Sequence, residues 1–498
     1  MSKLLTEYNS LIKDLLKKAE KLGIYAVIRI QSYSSFVESY KNGCIDDVSV
    51  STDIGLGMYC FTDTGHVAFS STNDLTDEKA IIDLLESTSK IAKKNKDLGF
   101  ASSPQIFSLP FQENINVEKN YKRIDIKNID SSHIEEKINN LEKYIKSVNQ
   151  NVNCYFIFYA YDELWRIARS DGTDVDFSTP KYRLRIDLSL KSGDINSSTM
   201  IRKTFPDIDL LFGEEINKTI DWNIKYLEDQ LKAQAVKPGH YALILDSDLA
   251  GVLTHEAFGH ACESDAIAEN NSILRGDDGK FISGQKVAAD GVNIYDDEPE
   301  VSHGFYPYGS FGNVRKRAIL VENGILKESL SDIFTSGIIG VENKNCERSQ
   351  FYSSVAIPRM STTTLELDDN KLKTVPENID LTNLKDIQKL LDKDNVFDKF
   401  GTVLYFIKMT GGSVNMKTGD FMFGSGFSYE LTKDSITPLK PCSFSGQVLE
   451  ALKSINSGYG DINRNHLGMC GKSGQTALVG QGGHSLILFE PSEYINIA

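Results

Sequence analysis

Apolar positions along the first half of the chain follow two different periods. Leu4, Leu5, Tyr8, Leu11, Ile12, Leu15, Leu16 and Ala19 recur at helical spacing up to Gly23, which predicts an amphipathic helix. Residues 25–31 and 36–40 then read as strands, and residues 48–60 pair with 67–70 across the turn residues Asp63-Thr64-Gly65. Helical spacing returns over 77–94 and, after a loop through Pro104 and Pro110, over 131–148. From Val152 the pattern is again that of strands. Tyr182, Leu184, Ile186, Leu188 and Leu190 alternate with Arg183, Arg185, Asp187 and Ser189, as in a strand with one wet face. Asp171-Gly172 supplies a hairpin turn. A long amphipathic stretch over 214–233 lies between Pro206 and Pro238-Gly239, and we place a domain junction near Lys237.

The second half is strand-rich and glycine-rich. Its one long helical pattern, 381–391, lies in a charged insertion between Leu367 and Lys399 and reads as a surface helix. Helices and antiparallel strands are segregated rather than alternating, which predicts the α+β class. The expected organisation is an N-terminal α/β domain over 1–237, with an antiparallel sheet and long helices, and a mostly β domain over 238–498. There is no internal repeat.

Composition narrows the functional classes. A chain of 498 residues is long enough for two or three cores. Its net charge of -15 argues against broad contact with nucleic acid or an anionic membrane surface. No apolar leader core or membrane-length apolar run is present. The seven cysteines are scattered without close pairing and read as reduced thiols. These features predict a cytoplasmic protein.

The candidate chemistry is concentrated in Thr254-His255-Glu256-Ala257-Phe258-Gly259-His260-Ala261-Cys262-Glu263-Ser264-Asp265. Two imidazoles and an adjacent carboxylate are the parts of a hydrolytic zinc site: two nitrogen ligands and a general base. Their spacing does not suit a regular helix, where positions i and i+5 point about 140° apart. The spacing therefore predicts an irregular turn, either a helix end or a π-type bulge, with Gly259 supplying backbone freedom. Upstream, 241–245 reads as a buried strand and Asp246-Ser247-Asp248 as the cap of the following helix. A third ligand is needed, and Cys262, Glu263, Asp265, His303, His466, Cys470 and His484 are the candidates. Cys470 stands out because it lies in the glycine-dense stretch Gly468-Met469-Cys470-Gly471-Lys472-Ser473-Gly474-Gln475, with Lys472 nearby to favour the thiolate. Cys262, so close to His260, would strain a helix holding all three and reads instead as a buried thiol. Glu263 and Asp265 are placed either to accept hydrogen bonds from the imidazoles or to form a solvated helix end.

Other motifs carry less. Asp63-Thr64-Gly65 matches the aspartic-protease triplet, but that chemistry needs a second copy and none exists. Gly471-Lys472-Ser473 lacks the earlier glycine of a phosphate-binding loop, His466 standing there instead. No Gly-x-Ser-x-Gly elbow occurs.

The motif around His255, Glu256, Gly259, His260, Glu263 and Asp265, together with Cys470-Gly471-Lys472-x-Gly474-Gln475, resembles the TldD/PmbA family of metallopeptidases on its catalytic, TldD-like side. Pro358-Arg359-Met360, Gly411-Gly412-Ser413-Val414-Asn415, Thr418-Gly419-Asp420-Phe421 and Ser445-Gly446-Gln447-Val448-Leu449-Glu450 extend the resemblance over the C-terminal half. It implies zinc held by His255, His260 and Cys470, with Glu256 as the base. It further implies short or unfolded peptides as substrates, processed in a dimer with itself or with a non-catalytic PmbA-like paralogue. The chain departs from the family at Gly309-Ser310-Phe311-Gly312-Asn313, where an acidic element is expected, and at Ala477-Leu478-Val479-Gly480 and Gly482-Gly483-His484 after the cysteine.

The predicted reaction is hydrolysis of a peptide bond by water activated at zinc and Glu256. His303, Tyr306, Tyr308, Tyr459 and His466 are candidates for steadying the oxyanion, and the segment 409–414 for pairing with an extended peptide. Two alternatives compete. One is a non-catalytic zinc-bearing assembly partner; the other is a cysteine peptidase pairing Cys470 with His466 or His484.

Overall fold

The computed structural model describes residues 5–113, 123–298 and 303–498; Leu4, the first position of the predicted helical pattern, lies outside them. Helix α1 (Asn9–Lys21) buries Leu11, Ile12, Leu15 and Ala19, the stripe that the spacing predicts. Strands β1 (Tyr25–Lys41), β2 (Cys44–Phe61) and β3 (Val67–Thr72) follow, then helices α2 (Glu78–Asp97) and α3 (Ser131–Val148). Strands β4 (Asn153–Arg169), β5 (Asp174–Ser178), β6 (Lys181–Ser192) and β7 (Ile195–Phe205) complete the first sheet. Its order is β3-β2-β1-β4-β6-β7 with β5 beside β4, and every pair is antiparallel.

The two strands expected at 25–31 and 36–40 are one. Ser32-Tyr33-Ser34-Ser35 breaks the apolar pattern, but β2 and β4 pair along both sides of this segment and hold it extended. Even-numbered residues of β1 and β4 face the helices: Ala26, Ile28 and Ile30 pack with α1 and α2, and Phe36, Phe156 and Phe158 pack with α3. Odd-numbered Val27, Trp165 and Ile167 face Tyr306, Tyr308 and Phe311 from the second half of the chain.

Helix α4 (Glu214–Gln230) joins the halves, since Ile216, Ile220, Ile224 and Leu227 share one core with both sheets. Beyond it come β8 (Ala242–Asp246), α5 (Ser247–Val252), β9 (Val292–Asp297), β10 (Thr362–Leu367) and α6 (Leu384–Lys393). Then follow β11 (Val403–Asn415), β12 (Asp420–Leu431), β13 (Ser443–Gln447), β14 (Ile455–Lys472) and β15 (Gln475–Phe489). Along the second sheet they run β9-β10-β15-β8-β11-β12-β13, and β14 forms a hairpin with β15. The sheet is mixed: β10 with β15 and β8 with β11 are parallel. With segregated helices and a large antiparallel component, the fold is α+β. Helix α6 is amphipathic rather than merely superficial, burying Leu384, Ile387, Leu390 and Leu391 in the shared core.

One close approach fixes the element that carries the chemistry. A Cβ on Gly251 of α5 would meet Gly482 N at 2.6 Å and its Cα at 2.9 Å, so only a bare backbone fits between helix and β15. Gly251→Val is expected to destabilise the protein by about 1–3 kcal/mol through overpacking, read as a lower thermal midpoint.

Candidate metal centre

Asp246 ends β8 and caps α5, its carboxylate accepting from Leu249 N–H at 2.9 Å. The helix then widens into a π turn over Leu253–Gly259 and tightens into a 3-10 turn over His260–Cys262. The added residue in the turn brings positions i and i+5 to one side, so the His255 and His260 ring centroids stand 5.2 Å apart. The irregular turn expected from the spacing is therefore present. Gly259 serves it differently from expectation: its φ of -58 is helical. A Cβ there would lie 2.2 Å from Met360 Sδ, so the glycine provides space rather than backbone freedom.

Cys470, near the end of β14, completes the cluster. Its Sγ is 3.2 Å from His260 Nε2, and one donor atom each from His255, His260 and Cys470 lie within 4.8 Å of one another. His255 is 1 % exposed and Cys470 3 %. Burial raises the Cys470 thiol, but the neighbouring imidazoles of His255 and His260 overcome it and bring the thiol down to about 5. Burial likewise opposes protonation of both imidazoles. The nearby sulfur outweighs it at His255, while Glu263 and the sulfur outweigh it at His260, so both stand above the ordinary range. Lys472, expected to favour the thiolate, is instead engaged elsewhere: its Nζ donates to Glu263 at 2.9 Å, Asp265 at 2.7 Å and the Pro358 carbonyl at 3.1 Å.

These contacts hold the site from behind. Glu263 is fully buried and sits 2.8 Å from His260 Nδ1, which leaves Nε2 turned toward the sulfur. Lys472 and His260 keep the Glu263 carboxyl low, at about 2, against its burial. The solvated-helix-end reading therefore fails for Glu263, and Asp265 binds Lys472 rather than an imidazole. Arg359, 2 % exposed, donates to the Cys470 carbonyl and to Gln475 O. Sequence reasoning gave Arg359 no role; Pro358-Arg359-Met360 was its only signal, because the contact spans 111 residues. Glu256 faces outward, with its side chain 39% exposed and Oε2 3.7 Å from His260 Nε2.

The other candidates stand apart from this cluster. Cys262 is buried in the apolar core. His484 is held by the Gly460 carbonyl at 2.8 Å and by Leu367 N–H at 3.1 Å. His466 Nε2 meets Ser247 Oγ at 2.6 Å. The imidazoles beside Cys470 are thus His255 and His260, not the pair required by the cysteine-peptidase alternative. Tyr306 and Tyr308 pack on Phe177 at 5.2 and 5.7 Å, Tyr459 belongs to the core shared by the two sheets, and His303 is buried with neither ring nitrogen partnered among the described residues.

The residues fit a metal. Among the described residues neither His255 ring nitrogen meets a partner at hydrogen-bonding geometry, although both are buried, and two imidazoles with a thiolate form a donor set suited to zinc. Such a cluster could hold a metal ion, and the comparisons give the family. The PmbA/TldA metallopeptidase C-terminal domain matches residues 238–476 and PmbA/TldA metallopeptidase domain 1 matches 26–92. A metalloprotease of Methanothermobacter thermautotrophicus is 35% identical over 254 residues, 51% of this chain and 50% of that protein. This chain therefore spans about half the length of that relative. A zinc metalloprotease TldD homolog of Saccharolobus solfataricus is 26% identical over 417 residues, 78% of this chain and 85% of that protein. The crystal structure of TldE from Thermococcus kodakarensis shares the fold, with a TM-score of 0.72 and 14% identity, covering 98% of this chain and 100% of that one. The chain belongs to the TldD/PmbA family of metallopeptidases.

Proposed function

We propose that this protein is a zinc-dependent peptidase of the catalytic, TldD-like branch, acting on short or unfolded peptides. The observation that carries the reading is the convergence of His255, His260 and Cys470 donor atoms within 4.8 Å, beside an outward-facing Glu256. When bound by these three side chains, zinc supplies Lewis acidity to water and to a peptide carbonyl. Glu256 is the acceptor for the proton of the attacking water, and in returning it to the departing amine it acts as general base and then general acid. Its partial exposure keeps it in reach of both. Glu263 holds His260 at Nδ1 so that Nε2 stays available, and Lys472 holds Glu263. A dimer of like chains, or with a PmbA-like paralogue, is the proposed assembly.

The test is metal analysis of the purified protein with a peptide-cleavage assay before and after chelation. Zinc retained on purification, turnover lost on chelation and restored by zinc are expected. Turnover that survives complete zinc removal would overturn the reading. A zinc-loaded protein that cleaves no peptide would favour the assembly-partner alternative. Glu263→Gln removes no ligand but loosens His260, and it is expected to lower zinc affinity about 10–100-fold, measured by competition with a chromogenic chelator.

A further inference from the structure

The face of the first sheet opposite the helices is covered over only part of its length. Near Val27, Trp165 and Ile167 it is packed by the second half of the chain. Farther along, strand alternation puts Tyr155, Tyr159 and Tyr161 of β4 on this face. Arg183 and Arg185 of β6 pair with Tyr159 and Ile157, and Arg202 of β7 lies opposite Arg185. The three tyrosines are half-buried and belong to none of the apolar cores. Tyr159 and Tyr161 are stacked with centroids 5.8 Å apart, and the Arg183 guanidinium lies 5.2 Å from the Tyr159 ring centroid.

Charge on this face is unbalanced. Three guanidiniums meet few carboxylates: Asp187 pairs with Arg185 at 2.9 Å, and Asp46 reaches only the Tyr155 hydroxyl at 3.3 Å. Arg183 is 7% exposed, and its Nε is buried without a hydrogen-bond partner among the described residues. Its Nη1 touches only the Met469 thioether, at 3.9 Å. Arg202 is exposed and makes no ion pair among the described residues. The same cations act on buried His303, which burial first, then Lys181, Arg183, Arg202 and Arg348, drive well below its ordinary range. In a chain of net charge -15, this is a local cationic surface. It reaches the strand that carries the cysteine, since Arg183 lies against Met469, the residue before Cys470.

We propose that this tyrosine and arginine face binds a carboxylate of the substrate peptide, from an Asp or Glu side chain or a free C-terminus, so that acidic peptides are the preferred substrates. The inference rests on the peptidase reading above. A guanidinium fork matches a carboxylate in two parallel hydrogen bonds, and exposed Arg202 presents such a fork with no carboxylate on it among the described residues. The stacked tyrosines give the peptide an apolar floor with hydroxyl donors at its edge.

The test measures binding, not turnover. Glu256→Gln protein is titrated into fluorescein-labelled peptides of one sequence: an amidated peptide with Glu, its amidated Gln isostere, and the Gln isostere with a free C-terminus. Fluorescence anisotropy is expected to show about tenfold tighter binding for a carboxylate-bearing peptide, and whichever one gains identifies the source. Arg202→Gln and Arg183→Gln, each added to the same protein, are expected to erase that advantage, and Arg202→Glu to reverse it. Because Arg202 is exposed, its variants report even if Arg183→Gln fails to fold. Equal binding of all three peptides, an advantage unchanged in Arg202→Gln, or tighter binding of a single-stranded oligonucleotide would overturn the proposal. If binding depends on carboxylate and arginine but the wild-type protein cleaves nothing, the anion site stands and the peptidase reading falls.

Discussion

Replacing Cys470 with alanine is expected to strip the purified protein of zinc and leave peptide turnover at background. Two imidazoles remain, but zinc in a hydrolytic site takes three protein ligands, and Cys262, the thiol on the histidine turn itself, is packed in the apolar core. The loss should be local. Cys470 makes few apolar contacts, with Ala477 and Val479 its buried cluster neighbours, and the β14–β15 register is held by backbone pairing on either side. Mass spectrometry under native conditions would read zinc content, and circular dichroism would show the sheet intact. A Cys470→Ala protein that keeps its zinc and its turnover would remove the thiolate from the site.

Glu256→Gln should behave in the opposite way with respect to the metal. Glutamine keeps the shape of the side chain but accepts no proton, so zinc content should match wild type while kcat falls by about 10²–10⁴. The change costs the fold little because the carboxylate is partly exposed and makes no short hydrogen bond among the described residues, with His260 Nε2 3.7 Å away. The measurement is steady-state cleavage of a fluorogenic peptide beside zinc analysis of the same preparation. Normal kcat with full zinc would take Glu256 out of the role of base. Read together, the two variants separate metal binding from proton transfer.

Much of the fold is legible along the chain because local rules agree with burial. Helix α3 is bounded in the sequence as in the fold: Asp130 caps it, accepting from His133 N–H, and Ile134, Ile138, Leu141 and Ile145 form one stripe. Strand β6 is legible because it has one wet face, so its arginines alternate with leucines. The middle of β1 is not, because what holds Ser32 to Ser35 extended is pairing with strands on both sides. An irregular turn, either a helix end or a π bulge, could be foreseen because two imidazoles five residues apart cannot face one metal from a regular helix. The contacts behind the site could not. Lys472 finds Glu263 and Asp265 across 209 and 207 residues, and nothing local marks it as their partner rather than the thiolate's. The cationic sheet face was hidden for a related reason: Arg185 and Arg202 become neighbours only through strand register.

The long separation between the histidine turn and β14 has a consequence for how the protein is made. Translation delivers His260 210 residues before the sulfur, and His255 earlier still, and the sulfur reaches them only when the β14–β15 hairpin has added to the sheet beside β8. A nascent chain emerging from the ribosome therefore lacks the complete donor set throughout most of its synthesis. Under the proposed peptidase reading, the chain would thus stay harmless to itself while it is itself unfolded.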